Sequence, residues 1–165
     1  MAGVAGVVSL IHVIRHAKAK NRVEWAEPDD LRPLTKRGRR EANAIAERLS
    51  DEPPARLLSS PYLRCIQTLE PLAVATDLPI ETTDVLAEGA VAYGADAVDL
   101  LLRLARSGSV ACCTHGDVVF EIADAVASSG VPLDGPRDVP VASAWVLEVE
   151  AGRFVRARFV EQPPR

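Results

Sequence analysis

A chain of 165 residues fits one compact domain with its own core, and residues 1–165 are taken as a single domain. Acidic side chains outnumber basic ones by 23 to 19, which argues against a nucleic-acid binder relying on a broad basic surface but leaves room for a local cationic pocket. No apolar run approaches the roughly 20 residues needed to span a bilayer. The apolar N-terminal stretch lacks a basic start, so no membrane partner and no secretion signal are expected, and the cytoplasm is the default compartment.

In chain order, apolar β-branched runs alternate with segments of helical period, the pattern of an α/β domain with a mainly parallel sheet. Val7–Ile14 is the first expected strand, running directly into Arg15-His16. A charged, proline-containing loop follows from Lys18 to Leu34. Thr35 is the expected N-cap of a helix whose apolar side is Ala42, Ile45, Ala46 and Leu49. Arg56–Ser59 is a short second strand. Ser60-Pro61 predicts a helix start with serine as cap and proline at the first helical position, carrying Leu63, Ile66 and Leu69 inward until Pro71 ends or kinks it.

Ile80–Leu86 is the third expected strand, and Ala95–Arg106 the next helix. Ser109–Thr114 is a buried fourth strand, followed by a helix from about Val118 to Ser128. Trp145–Glu150 and Arg153–Val160 flank Ala151-Gly152 as an antiparallel hairpin, and the Gln162–Arg165 tail is expected to fray. The aromatic share of 4% predicts an aliphatic core. Cys65, Cys112 and Cys113 lack metal-ligand spacing and read as reduced, structural thiols.

Four polar landmarks fall at strand ends: Arg15-His16 after strand one, Arg64 just after strand two, Glu88 after strand three and His115 closing strand four. In a parallel sheet all of them converge on the carboxyl edge, where open α/β sheets build their crevices. Their chemistry is mutually consistent. Two arginines offer forked donors matched to phosphate oxygens, and the amide end of the helix after strand two adds a favourable dipole. A histidine among cations stays neutral and keeps one ring nitrogen free to attack phosphorus. The other nitrogen requires an acceptor, expected to be a backbone carbonyl. A second histidine can donate to the charge that develops on the phosphoryl oxygens, and a carboxylic acid can protonate the leaving oxygen.

Ile14-Arg15-His16-Ala17 resembles the Arg-His-Gly signature of the histidine phosphatase, or phosphoglycerate mutase-like, superfamily. Ser59-Ser60-Pro61-Tyr62-Leu63-Arg64-Cys65-Ile66-Gln67-Thr68 is similar to that family's second arginine segment, and Thr114-His115-Gly116 to its second histidine. Arg32-Pro33-Leu34-Thr35-Lys36-Arg37-Gly38 resembles the short SixA-type phosphohistidine phosphatases of bacteria. Ala142-Ser143-Ala144 before the last hairpin extends the likeness over nearly the whole chain. The resemblance implies a three-layer α/β sandwich, with helices on both faces of a mainly parallel sheet and an antiparallel C-terminal hairpin. It further implies a phosphatase working through phospho-His16, with Arg15, Arg64 and His115 completing the phosphate pocket and Glu88 as proton donor.

A narrower resemblance links Glu24-Trp25, Arg64-Cys65, Gln67-Thr68 and the Leu-x-Glu around Glu88 to the phosphatase half of actinobacterial Nudix–phosphatase fusions, which act on nucleotide phosphates. The expected substrate is thus a phosphohistidine protein or a small phosphorylated metabolite or nucleotide, hydrolysed without metal or cofactor. Lys18 and Asn21 are kept as substrate contacts. Lys18, Lys20 and Arg22 form either a solvated loop or a guide for an anion, and Lys36, Arg37, Arg39 and Arg40 decorate an exposed helix start. His12 is expected to pack or hydrogen-bond in the sheet. Ala17 departs from the family's glycine, so the turn after His16 must tolerate a Cβ, and Asp117 competes with Glu88 for the acid's role. A binding module of the same fold with weak turnover is the alternative. A mutase is disfavoured because 165 residues leave no room for long substrate-trapping insertions.

Overall fold

The computed structural model describes residues 6–89 and 94–164. In chain order these contain β1 (Ser9–Arg15), α1 (Lys36–Ser50), β2 (Arg56–Ser59), α2 (Leu63–Thr76), β3 (Ile80–Thr82), α3 (Gly94–Ala105), β4 (Val110–Thr114), α4 (Gly116–Ser128), β5 (Ala144–Glu150) and β6 (Arg153–Val160). Two 3₁₀ turns lie at Asp29–Leu31 and Asp84–Leu86. The six strands form one sheet in the order β3-β2-β4-β1-β5-β6. The first four are mutually parallel, while β5 and β6 run antiparallel to their neighbours.

Alternation along β1 divides the core into two layers. Ile11 and Val13 point to one face, where they pack with Leu101, Val119, Ile122 and Val126 of α3 and α4. Ile14 points to the other and joins Ile45, Leu49, Leu69 and Leu72 of α1 and α2. The central strands β4 and β1 are covered on both sides, which is why they read as almost unbroken apolar runs. The aliphatic composition suits this double burial, since each fully buried Leu or Ile contributes about 1.5–3 kcal/mol. No helix among the described residues is long and apolar enough to cross a membrane.

Several elements form as the sequence predicts. Thr35 caps α1 by accepting a hydrogen bond from the Gly38 amide, and Ala42, Ile45, Ala46 and Leu49 are buried. The C-terminal hairpin turns on Ala151 and Gly152, both at positive φ (51° and 75°), as a two-residue turn between twisted strands requires.

The second helix differs from expectation in three ways. It begins at Leu63, not Pro61, because the Ser60 hydroxyl closes a local turn on the Tyr62 amide at 3.2 Å and is also engaged by His115. Its buried face is Arg64, Cys65, Thr68, Leu69 and Leu72, with Leu63 and Ile66 only half-buried. The inward arginine is tolerated because carboxylates meet it. Pro71 does not end the helix, which continues to Thr76. Buried Leu69 and Leu72 on either side anchor both turns against the core, outweighing the roughly 3 kcal/mol penalty of an interior proline.

The third strand is shorter than expected and stops at Thr82. Thr83 then accepts from the Val85 amide and starts the Asp84–Leu86 turn, a local side-chain bond that competes with strand pairing.

Candidate functional site

The parallel core of the sheet delivers Arg15-His16, Ser60 and His115 to one edge. His16 N bonds to Thr114 O at 3.0 Å and Ser60 N to Cys113 O at 3.0 Å, so backbone pairing continues just past the ends of β1, β2 and β4. The Ala142 amide reaches the carbonyls of both Arg15 and His16 at 3.1 Å, from a left-handed backbone with φ 60°. This non-glycine residue sits in a sparsely populated conformation directly behind the histidine.

His16 is held by its own turn. Its Nδ1 lies 2.8 Å from Ala17 O, the expected backbone acceptor, which makes Nδ1 the protonated nitrogen and leaves Nε2 as the base. Burial pushes the imidazole down to about 3; the Ala17 bond opposes this, while Arg64, Arg15 and Arg32 reinforce it. At neutral pH the ring is uncharged. Ala17 itself is fully buried at ordinary negative φ, and its amide donates to Thr68 Oγ1 at 3.0 Å. The turn therefore accepts a Cβ where the resemblance expects glycine.

The second histidine meets the first edge to face, with ring centroids 5.4 Å apart. His115 Nε2 is 2.8 Å from Ser60 Oγ, its Nδ1 is 3.5 Å from Arg64 Nη2, and Tyr62 packs against its ring. Burial, then His16 and Arg64, lower its pKa to about 2.

Both arginines are anchored by part of their guanidinium and keep another part unused. Arg15 Nη1 donates to Val139 O and lies 3.9 Å from Asp138. Gly116 makes room for it, since a Cβ there would stand 3.0 Å from Arg15 Cζ. Arg64 is fully buried, donating to Asp29 O at 2.8 Å, Asp29 Oδ2 at 3.1 Å and Glu88 Oε2 at 3.2 Å. The Nε of each arginine is buried without a hydrogen-bond partner among the described residues.

Glu88 also accepts two bonds from Arg22, at 2.8 and 3.0 Å. Its loop is pinned on both sides: Thr114 Oγ1 donates to Leu86 O at 2.6 Å, and the Gly89 amide donates to Asp117 Oδ2 at 2.8 Å. Asp117 spends its other oxygen on the Val118 amide, so its carboxylate serves the backbone. Of the two candidate acids, Glu88 lines the pocket and Asp117 supports the loop that carries it.

A cavity of about 560 Å³ opens over this edge, lined by Arg15, His16, Lys18, Asn21, Arg22, Arg32, Glu88 and Gly116 among others. The Lys18 loop is built rather than loose: Lys18 N donates to Glu41, and Thr35 N and Oγ1 donate to Lys18 O. Asn21 accepts from Val23 N through its side chain while still facing the cavity. A second cavity of about 530 Å³ adjoins it, sharing Lys20, Asn21 and Thr35 and lined by Trp25. Lys20 Nζ stands 5.5 Å from the centre of the Trp25 ring.

Sequence reasoning missed Asp29, Arg32 and Ser60. Asp29 and Arg32 lie in a loop whose charges look solvated; only their pairing at 2.9 Å, and the contacts of Asp29 with Arg64, reveal a place in the site. A helix-cap role accounts for the residue type of Ser60 without pointing to its histidine partner. The dipole expected from a helix beginning at Pro61 instead begins at Leu63.

The family model described as histidine phosphatase superfamily (branch 1) matches residues 11–95. An 8-oxo-(d)GTP phosphatase of Mycolicibacterium smegmatis is 33% identical over 155 residues, covering 92% of this chain and 48% of that protein. The chain thus spans about half the length of that curated relative. Among solved structures, the protein histidine phosphatase SixA complexed with tungstate aligns with TM-score 0.68 and 25% identity over 93% of this chain and 95% of that one. A mycobacterial glucosyl-3-phosphoglycerate phosphatase aligns with TM-score 0.70 over 96% of this chain and 100% of the other; its 19% identity speaks for the shared fold.

Proposed function

Because this chain belongs to the histidine phosphatase superfamily, we propose that it is a phosphatase in which His16 takes up the phosphoryl group and water then removes it. The observation that carries this reading is the meeting of a neutral histidine base with two guanidinium groups, Arg64 fully buried and Arg15 half-buried, whose Nε atoms are each buried without a partner among the described residues. A buried, unpaired cationic donor is costly, and a phosphate oxygen is the partner that suits it.

In the first step the lone pair of His16 Nε2 attacks phosphorus, and the bond from phosphorus to the leaving oxygen breaks. Ala17 O, on Nδ1, stabilises the positive charge that the ring acquires. Arg15, Arg64 and His115 face the charge on the phosphoryl oxygens. Substrate phosphate takes over the guanidinium groups that Glu88 holds, and the freed Glu88 carboxylate accepts the proton that a monoanionic substrate phosphate brings and passes it to the leaving oxygen. In the second step Glu88 recovers a proton from the attacking water, the P–N bond breaks, and neutral His16 and inorganic phosphate result.

For the substrate, the adjoining Trp25 cavity favours a small phosphorylated molecule with a planar group, a nucleotide, over a phosphohistidine protein. An aromatic platform beside a phosphate pocket suits a base, which stacks on it at about 1–3 kcal/mol. The 8-oxo-(d)GTP phosphatase relative lends weight in the same direction. Lys18 and Asn21 are assigned to substrate contacts on the strength of their positions in the main cavity.

Turnover of p-nitrophenyl phosphate by the wild type and by His16→Ala tests the proposal. Wild type should turn over and form an acid-labile, base-stable phosphoenzyme, and the variant should do neither. Equal rates, or no turnover in either protein, would sink it.

A further inference from the structure

A third cavity, of about 200 Å³, lies away from the catalytic edge, between the last turn of α1 and the faces of β1, β5 and β6. Aliphatic side chains of the three strands form most of its walls. Its lining includes buried His12 from β1 and exposed Arg48 from α1 and Arg158 from β6, together with Glu52. His12 precedes His16 by four residues, roughly 13 Å at the strand rise of about 3.3 Å per residue. The catalytic reading uses none of these groups.

His12 is only 7% exposed, and its Nε2 is buried without a hydrogen-bond partner among the described residues. Polar ring nitrogens in protein interiors nearly always find a partner, so an orphan on a ring that lines a cavity points to something the cavity receives. Its electrostatic setting indicates the sign. Burial, then Arg48 and Arg158, push the imidazole down to about 4, and Arg48 is itself held below its ordinary value by burial and by Arg158. Two guanidinium groups therefore act on one uncharged ring, with Glu52 supplying a single negative charge against their two.

We propose that the His12–Arg48–Arg158 cavity is a second anion site, which binds a small tetrahedral oxyanion such as inorganic phosphate. The neutral His12 ring supplies one N–H donor, and the two guanidinium forks supply charge-assisted donors around the remaining oxygens. The volume sets the size limit: it lies below the roughly 300–1,000 Å³ of pockets that enclose drug-sized ligands, so an oxyanion fits and a whole nucleotide does not.

The chain has three histidines, which makes selective ¹⁵N-histidine NMR a direct probe. Titrating inorganic phosphate into the intact protein should shift the His12 ring signals along a saturable curve, separately from those of His16 and His115. Arg48→Ala with Arg158→Ala, at two exposed positions, should weaken the His12 response about tenfold or more while leaving the His16 and His115 responses unchanged. A non-hydrolysable nucleotide analogue, a nucleoside phosphonate, should shift the catalytic histidines and leave His12 in place. His12 signals that do not move with phosphate, or that move equally in the double variant, would overturn the site. A His12 response to the nucleotide as strong as that to phosphate would overturn the restriction to a small oxyanion.

Discussion

Glu88 Oε2 lies 3.2 Å from Arg64 Nη2, and the same nitrogen reaches Asp29 Oδ2 at 3.1 Å. Two carboxylates thus occupy donors that a substrate phosphate needs, and they have different fates in the proposed reaction. Asp29 only competes. Asp29→Asn should therefore lower KM for phosphate esters about threefold, the scale of a partly exposed ion pair, with kcat little changed. Steady-state kinetics on one substrate decides it; a lower kcat at constant KM contradicts the assignment.

Glu88→Gln removes the group that protonates the leaving oxygen. Turnover of an alkyl phosphate should fall about 10²–10⁴-fold, and turnover of p-nitrophenyl phosphate, whose leaving group needs little help, by less than about tenfold. Asp117→Asn should not show that leaving-group dependence, because both oxygens of Asp117 are spent on backbone amides. If Asp117→Asn shows it and Glu88→Gln does not, the two roles are reversed.

Ser60→Ala deprives His115 Nε2 of its 2.8 Å partner in a fully buried place. Left with only the weak Cys65 Sγ contact at 3.6 Å, such a buried nitrogen costs up to about 1–3 kcal/mol, and the denaturation midpoint should fall accordingly. The ring also loses the contact that sets its tautomer, so kcat should fall with it. Ser60→Thr keeps the hydroxyl and should restore much of the activity.

Trp25→Ala tests the nucleotide reading. KM for a nucleoside phosphate should rise by roughly 5- to 150-fold, the equivalent of about 1–3 kcal/mol of stacking, while KM for a small phosphate ester stays the same. A parallel rise for both substrates would show that Trp25 supports the loop and not a base.

Stability should depend on pH through the three histidines. Folded pKa values near 4 for His12, 3 for His16 and 2 for His115 lie below the unfolded value of 6.5. Above pH 6.5 the rings are neutral in both states. Below it the unfolded chain takes up protons that the folded chain refuses, so stability falls with pH until the folded values are passed. His12 alone accounts for about 3 kcal/mol between pH 6.5 and 4. Urea unfolding in phosphate-free buffer should show a shallower acid loss for His12→Asn; an equally steep one would contradict the buried, neutral ring.

Much of the architecture was legible because periodicity carries it. Apolar runs marked β1, β2 and β4, and the Thr35 cap with the Ala42–Leu49 stripe marked α1. Convergence of Arg15-His16, Arg64, Glu88 and His115 followed from strand ends in a parallel sheet, without knowledge of any contact. Contacts between loops were not legible. Asp29 reaches Arg64 across 35 positions, and nothing in the local pattern distinguishes it from the solvated charges beside it. The phase of α2 was misjudged for a related reason: apolar Leu63 and Ile66 looked like the inward face, yet paired Arg64 takes the buried place. At His12 the expectation was of packing or a hydrogen bond within the sheet, and the ring packs with its Nε2 left over.

The bonds that Ala142 makes to Arg15 and His16 have a consequence for the order of assembly. The β1 end is finished by residues more than a hundred positions downstream, as is Arg15 through its bond to Val139, 124 positions away. Such long loop closures come late and slowly in folding. On a ribosome, the nucleophile would emerge more than a hundred residues ahead of the segment that caps its carbonyls. Activity should thus switch on in a single step once Ala142 has emerged, and a nascent chain halted before Ala142 should bind phosphate poorly even with both histidines already translated.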